Sequence, residues 1–386
     1  MPIVIGVIII LAALSGINYY LSQSIYKGIV SILPKVRKGA VLAVFGGMTL
    51  LTVLGFARSF LPLPSGVKHI LGVVFAYWLG IFVYLLLFTS IADIFTLICS
   101  MCKLSFIKKR LYKGISLAVV IVLTLTTVIY GFVNARQIDH VSYEIPLEGK
   151  ADISDIKLVM ISDLHLGAVG SESRLGSIVK EINGLEPDVI CIAGDFFDTD
   201  YNSIRNPEKA IEAIKKLSAT YGVYACLGNH DAGNTVSQME AFLQSCNVQA
   251  LKEEYVVIDN KLVLLGRLDA SPIGGYGEVK RKKLADVFSR EGLSDLAVVA
   301  MDHNPANIKE YEDEVDLILS GHTHKGQLFP ANIITDLLYE VDYGYYRKDS
   351  DSPQVVVTSG IGAWGMPMRV GTDSEIVTIN FKTETN

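Results

Sequence analysis

The feature that most limits what this chain can fold into is a set of long, uncharged apolar runs in its first third. Residues 2–22, PIVIGVIIILAALSGINYYLS, carry no charge, and residues 39–57, roughly 69–92 and 114–133 are nearly as apolar. Each run reaches the ~20 residues needed to cross a bilayer core of about 30 Å. Backbone in hydrocarbon must satisfy its own N–H and C=O groups, so each run has to be a helix. A helix buried in a soluble domain is rarely this long and this uniformly apolar. A cleaved signal peptide competes for the first run alone, but that run lacks a charged start and three more follow it.

Charge divides the chain the same way. Residues 1–149 hold 12 Lys+Arg against 4 Asp+Glu, a net of +8, whereas residues 150–386 hold 22 against 36, a net of −14. The basic residues of the front part sit mainly in two loops. Loop 23–38 has Lys27, Lys35, Arg37 and Lys38, and loop 100–113 has Lys103, Lys108, Lys109, Arg110 and Lys113. The loop between them has only Arg58 and Lys68, and Arg136 alone lies between the fourth run and Lys150. By the positive-inside rule the two basic loops face the cytoplasm. The N-terminus and the whole C-terminal part are then expected outside it, in a multi-pass protein of the cell membrane. Asp93 lies near the inner end of the third run and is read as structural. Cys99 and Cys102 form a C-x-x-C with no second pair or nearby histidine, which argues against zinc. Cys191 and Cys226 fall in apolar strand-like runs and read as buried small residues.

From about residue 154 the pattern becomes that of an α/β domain. Strands are expected at 156–162, 187–194, 222–228, 296–302 and 315–321, with two more in QVVVTSG and EIVTINF. Helices are expected at 172–184, 207–218, 234–245 and about 279–290, and a hairpin around Asn260. The domain division is therefore 1–133 as a four-helix transmembrane region, 134–153 as a polar connector and 154–386 as the α/β domain.

The residues that follow these strands carry the chemistry. Asp163 and His165 leave the first, Asp195 the second, Asn229, His230 and Asp231 the third, His303 the fourth, and His322 and His324 the fifth. Five of the chain's seven histidines lie at these exits. A histidine after a strand is usually a turn residue, but two in H-x-H spacing project to the same side of extended backbone and imidazole is the commonest metal ligand. In open α/β folds, ligands bind beyond the carboxyl ends of the strands. Carboxylates, imidazoles and an amide oxygen make a mixed N/O site for first-row divalent metals. Two Asp, four His and one Asn, with His230 set aside, are too many for one ion and fit two sharing a carboxylate.

In this order, D-x-H, G-D, G-N-H-D, a lone H and G-H-x-H resemble the calcineurin-like metallophosphoesterase family, in its bacterial membrane-anchored type. The resemblance covers roughly residues 154–386. It implies an α/β sandwich of two packed sheets flanked by helices around a dinuclear centre of Mn, Fe or Zn. Asp163, His165, Asp195 and His324 would hold one ion. Asp195, Asn229, His303 and His322 would hold the other, with Asp195 bridging. His230 would contact the phosphoryl oxygen or protonate the leaving group. Two ions about 4 Å apart clamp a phosphoryl group and generate a bridging hydroxide that attacks phosphorus.

The expected activity is a membrane-tethered phosphoesterase acting on a phosphomonoester or phosphodiester of a lipid or cell-envelope substrate. A non-catalytic metal-dependent scaffold is the alternative, and every ligand position being present argues against it. A transporter with an attached phosphoesterase domain is a third reading, opposed by spans whose only acid is Asp93. Nucleic acid is not an expected partner, because phosphate backbones favour basic surfaces. Lys325 is read as a surface lysine or a second-phosphate contact. Arg369 is read as a phosphate contact or half of a surface ion pair, and Trp364, Met366 and Met368 as packing or as a membrane-facing lip. The basic stretch Lys280–Lys283 reads as a solvated helix face or an approach to anionic lipid.

Overall fold

The computed structural model describes residues 2–58, 61–148, 150, 153–169, 172–311 and 314–384. The chain forms two compact units, Met1–Gly131 and Phe132–Asn386. The first unit is helical: α1 Pro2–Ile32, α2 Lys38–Ala57, α3 Ser65–Met101 and α4 starting at Arg110 and running to Asn134. Among the described residues, three helical stretches are long and apolar enough to cross a membrane: Lys38–Ala57, Gly66–Met101 and Arg110–Asn134. The run at 2–22 lies within α1, and the side chains of residues 2–5, 7 and 8 are outside the described set. Asp93 Oδ2 accepts hydrogen bonds from Tyr20 Oη at 2.8 Å and Ser24 Oγ at 2.6 Å, which partner an otherwise costly acid.

The second unit packs two six-stranded sheets face to face. One has the order β1-β12-β2-β3-β4-β5 and the other β10-β11-β9-β8-β7-β6. In chain order the strands of the first sheet are β1 Ile138–Glu148, β2 Lys157–Ile161, β3 Val189–Ala193, β4 Val223–Cys226, β5 Val248–Ala250 and, last in the chain, β12 Ser374–Glu384. Those of the second are β6 Glu254–Ile258, β7 Leu262–Gly266, β8 Ala297–Met301, β9 Leu317–Ser320, β10 Gly344–Tyr346 and β11 Gln354–Val357. Alternate residues of a strand face opposite ways. Leu158, Met160, Val189 and Cys191 therefore meet Leu264, Val299, Met301, Leu317 and Leu319 between the sheets. Val159, Ile161, Ile190 and Ile192 face the other way, onto Leu175, Ile178 and Ile182 of α5 (Glu172–Gly184), Ile214 of α6 (Pro207–Ile214) and Met239 and Phe242 of α7 (Val236–Ser245). Burial on both faces is why these strands read as unbroken apolar runs. Cys191 and Cys226 are both buried, as expected.

The hairpin around Asn260 is present, with β6 antiparallel to β7 across a three-residue loop, 259–261, in which Asp259 and Asn260 take left-handed backbone and the Lys261 N–H donates to the Ile258 carbonyl at 3.0 Å. Two expectations need correction. Residues 134–153, read as a polar connector, contain β1, which pairs in parallel with β12 from Ile138↔Ser374 to Glu148↔Glu384. As an edge strand it can carry exposed Asp139, His140, Ser142 and Glu144 and also Pro146, so its composition resembles a linker. No α-helix forms at 279–290; a single 3₁₀ turn, Leu284–Asp286, stands there. Of the basic stretch, Lys280, Lys282 and Lys283 are exposed and only Arg281 turns inward. Arg281 reaches into the fold to pair with Asp302 at 2.6 Å and Glu310 at 2.7 Å.

Candidate metal centre

The carboxyl ends of β2, β3 and β4 from one sheet and of β8 and β9 from the other open onto the same place. All seven expected ligands meet there. His324 Nε2 lies 3.2 Å from Asp163 Oδ1 and 3.1 Å from His165 Nε2. His303 Nε2 lies 3.1 Å from Asp195 Oδ2, and His322 Nδ1 lies 2.9 Å from Asn229 Oδ1. Asp195 also lies 3.8 Å from His165, so it stands between the two groups. The ligand atoms of Asp163, His165 and His324 lie within 4.8 Å of one another, as do those of Asp195, His303 and His322.

The backbone at the site is unusual. Asp163 (φ 56°), His165 (48°), Asp195 (51°), His322 (71°) and His324 (49°) all adopt the left-handed conformation. Only a few per cent of non-glycine residues do so, and such strain gathers at functional sites held by the surrounding fold. Here the strain turns side chains sharply off the strand ends and into one cluster. Gly194, at φ 80°, has a second constraint, because a Cβ there would meet the His303 ring at 2.6 Å. Gly194→Ala is expected to cost about 1–3 kcal/mol and to displace His303. Denaturant midpoint and metal affinity, measured together, check this.

The donors fit a divalent cation. His303 is fully buried and its Nδ1 donates to the Ala193 carbonyl at 2.8 Å, which turns Nε2 into the site as the nitrogen that would offer its lone pair once a cation displaces its proton. That Nε2 has no hydrogen-bond partner and faces the carboxylate of Asp195. Fixing a ligating imidazole through its other nitrogen is the usual arrangement around a metal. Burial alone would favour protonated carboxyls. The neighbouring imidazoles outweigh it: Asp163 is held low chiefly by His324, and Asp195 chiefly by His303. Burial also opposes a charged His303, but Asp195 and Asp163 outweigh it and push its pKa well up. Burial lowers His322 to about 4, helped by the charge of His303. The cluster thus holds two ionised carboxylates whose partners are imidazoles competing for protons, an environment that a cation satisfies.

Around the seven donors stand residues whose contacts the sequence does not reveal. Asp231 is fully buried, and its carboxylate accepts from the backbone N–H groups of Phe197 (2.8 Å), Gly228 (2.9 Å) and Phe196 (3.2 Å). It ties the turn carrying Asp195 to the turn carrying Asn229 and His230. Burial and the charge of Asp195 raise its pKa to about 7. His230 lies beside the two groups, with Nδ1 2.6 Å from Thr199 Oγ1 and its backbone N–H donating to Asp195 Oδ1 at 2.8 Å. Its ring stands 5.2 Å from that of His165 and 5.9 Å from Trp364. His165, Asp198 and His230 form a third close group.

Arg369 corrects both sequence readings of it. It is fully buried, touches no surface acid, and donates to the carbonyls of Ser359, Gly360, Gly362 and Asp373 at 2.6–3.0 Å. Its Nη2 also lies 3.5 Å from His324 Nδ1. Lys325 is half-buried, with Nζ 3.9 Å from the centre of the Tyr343 ring, a cation–π contact. In loop 359–371, Met368 packs inside and Trp364 is 49% exposed.

The sequence model for calcineurin-like phosphoesterases matches residues 156–326, which begin at β2 and end just past His324. An Aquifex aeolicus metallophosphoesterase is 30% identical over 245 residues, covering 63% of this chain and 92% of that protein. The chain belongs to the calcineurin-like metallophosphoesterase family. A zebrafish transmembrane protein with a metallophosphoesterase domain is 33% identical over 278 residues, 68% of this chain, and the chain spans 62% of that relative's length. The UDP-2,3-diacylglucosamine pyrophosphatase LpxG of Chlamydia trachomatis is 24% identical over 282 residues, covering 60% of this chain and 85% of that protein. The metallophosphoesterase relatives thus include a vertebrate protein as well as bacterial ones, so membership extends beyond a bacterial type.

Proposed function

We propose that this protein is a membrane-tethered metallophosphoesterase that hydrolyses a phosphomonoester or phosphodiester of a lipid or envelope substrate. The observation that carries the reading is the meeting of all seven N/O donors from five strand ends, five of the donors on left-handed backbone. Asp163, His165, Asp195 and His324 would hold one divalent ion; Asp195, Asn229, His303 and His322 would hold a second. Bound there, the ions supply charge neutralisation for a phosphoryl group and activation of a water nucleophile near neutral pH.

The chain's own residues do the rest. Asp195 would serve both positions, a reading supported by its 3.8 Å and 3.1 Å distances to His165 and His303, and it anchors the His230 backbone. Asp231 holds the two turns that present Asp195, Asn229 and His230. With the Thr199 hydroxyl donating to Nδ1, the His230 ring keeps its proton on Nε2, as a donor to a departing alkoxide needs. Burial lowers the pKa of this ring, so the uncharged ring hydrogen-bonds the leaving oxygen through Nε2–H, and full proton transfer passes through its imidazolium form. His230→Ala is expected to slow hydrolysis of an alkyl phosphoester by about 10²–10⁴-fold. The loss should be much smaller for a p-nitrophenyl ester, whose leaving group needs no proton. Steady-state kcat on the matched pair of esters checks this.

The division proposed is a membrane region in 1–133 and a hydrolase domain in 154–386, with residues 138–148 of the connector joining the hydrolase sheet. Membrane-length helices in the same chain support a substrate at the bilayer, and the name of the Chlamydia relative denotes an acylated substrate. The net charge of −14 over residues 150–386 argues against nucleic acid. The basic loops 23–38 and 100–113 support an extracytoplasmic hydrolase domain. A phosphatase reporter active only outside the cytoplasm, fused after Asn386, should be active. A reporter that works only in the cytoplasm should be silent there, and the reverse pattern would overturn the orientation.

A further inference from the structure

Helix α8, Ala331–Leu338, is built inside out. An amphipathic helix on a globular domain normally turns its apolar stripe to the core. In α8 no residue is buried. Ile333, Ile334, Leu337 and Leu338 are 51%, 57%, 78% and 74% exposed, and Phe329, just before the helix, is 47% exposed. At 100° per residue these four aliphatic positions share one face. The polar side is the one tied down: Thr335 Oγ1 bonds Asp342 Oδ2 at 2.7 Å, and half-buried Asn332 lies against Gly326. The fold therefore gains little from four large aliphatic side chains that it nevertheless displays together.

The helix that displays this face adjoins the metal centre through its other side. The backbone of Asn332 abuts Gly326, two residues past His324, so closely that no Cβ would fit between them. The Ala331 N–H donates to the Leu328 carbonyl at 2.7 Å, and the ring of Tyr339, the residue after the helix, lies 6.2 Å from that of His322.

We infer that the exposed face of α8 inserts into the hydrocarbon edge of the lipid bilayer and holds the mouth of the metal centre at the membrane surface. Three features of the chain select the bilayer as the occupant. The same chain carries helices of membrane-crossing length, so a bilayer is always within reach. The face is uniformly aliphatic, the composition that lies in an interface beneath the headgroups. Four side chains on an eight-residue helix are also far fewer than the roughly 20–30 residues a side that a stable protein interface engages. The consequence, access to a lipid phosphoester lying in the membrane, rests on the phosphoesterase reading; the insertion itself does not.

Spin labelling of the full-length protein in phosphatidylcholine–phosphatidylglycerol vesicles tests it. Nitroxides are placed at Ile334→Cys and Leu337→Cys in a Cys102→Ser background, the other four cysteines being buried. A control label goes at Lys216→Cys, an exposed position preceding β4 and so at the far end of that strand from Asn229. Collision with oxygen, which concentrates in hydrocarbon, is compared with collision with a water-soluble nickel chelate. The expected result is oxygen access well above nickel access at 334 and 337, and the reverse at 216. Nickel access at 334 and 337 equal to that at 216 would overturn the inference, because the face would then lie in water. Exclusion of both reagents would overturn it too, in favour of a protein partner or a second copy. Because no turnover is read, a failed hydrolysis assay leaves this result standing. A failed labelling result likewise leaves the phosphoesterase reading intact.

Discussion

Asp195→Asn is expected to lower metal-stimulated phosphoester hydrolysis by about 10³-fold, the scale on which removal of one preorganised electrostatic group acts, while the fold survives. The carboxylate is almost wholly buried, 3.1 Å from His303 Nε2 and 3.8 Å from His165, and it accepts the His230 N–H. Asparagine keeps the shape and one oxygen, so the His230 turn can still be anchored. Its amide nitrogen can donate to the lone pair of His303 Nε2. What is lost is the negative charge that both metal positions share. Added Mn²⁺ should therefore raise the melting temperature of the parent protein, since a ligand that binds only the native state stabilises it, and should raise that of the variant far less. Loss of activity with an unchanged metal-induced shift would place Asp195 in substrate handling instead.

Arg369→Met is expected to destabilise the hydrolase domain by about 3 kcal/mol or more, since each buried acceptor left unpaired costs about 1–3 kcal/mol. The guanidinium bonds the carbonyls of Ser359, Gly360, Gly362 and Asp373 from a fully buried position. Methionine fills the volume and satisfies none of them. Arg369→Lys should recover only part of the loss, because an ammonium is a point donor and cannot reproduce a planar fork. Had Arg369 contacted substrate phosphate, either variant would raise KM and leave the unfolding midpoint alone. Denaturant unfolding and KM, measured on the same samples, separate the two cases. The loop that Arg369 knits together also reaches His324, so a fall in metal affinity should accompany the fall in stability.

The chemistry of the site was legible because it obeys two local rules. Buried parallel strands leave apolar runs, and the residues just past their ends line a common edge, so reading Asp163, Asp195, Asn229, His303 and His322 off the strand exits needed no tertiary knowledge. What holds them there left no trace. Nothing in ISDLHL or SGHTHK announces that Asp163, His165, His322 and His324 take left-handed backbone; that is imposed by the turns packing together. Asp231 sits in plain view within GNHD, yet its role is fixed by backbone N–H groups from the segment 196–197, over thirty residues earlier. Arg369 reads from the sequence as a phosphate contact or half of a surface ion pair because charge is normally exposed, and only the carbonyl-rich loop around it reverses both.

The errors of secondary structure have the same origin. β1 is an edge strand whose polar face mimics a linker, and its partner β12 lies more than two hundred residues away. The segment 279–290 forms only a 3₁₀ turn at Leu284–Asp286, and its Arg281 is held by Asp302 and Glu310, partners that lie in distant sequence. Helix α8 escaped notice because its apolar stripe faces away from the core, so its length and exposure depend on packing that the local pattern does not describe.

The central claim is that Asp163, His165, Asp195, Asn229, His303, His322 and His324 form one metal-dependent phosphoester-cleaving site. The most direct measurement uses the full-length protein, stripped of metal and reconstituted in vesicles. Mn²⁺ is titrated in while bound metal per chain and hydrolysis of a chromogenic phosphodiester and the matching monoester are followed together. The account predicts hydrolysis of one or both esters that rises as two equivalents bind and is absent from the Asp195→Asn variant. Hydrolysis that persists in chelator, or that is equal in the variant, would contradict it.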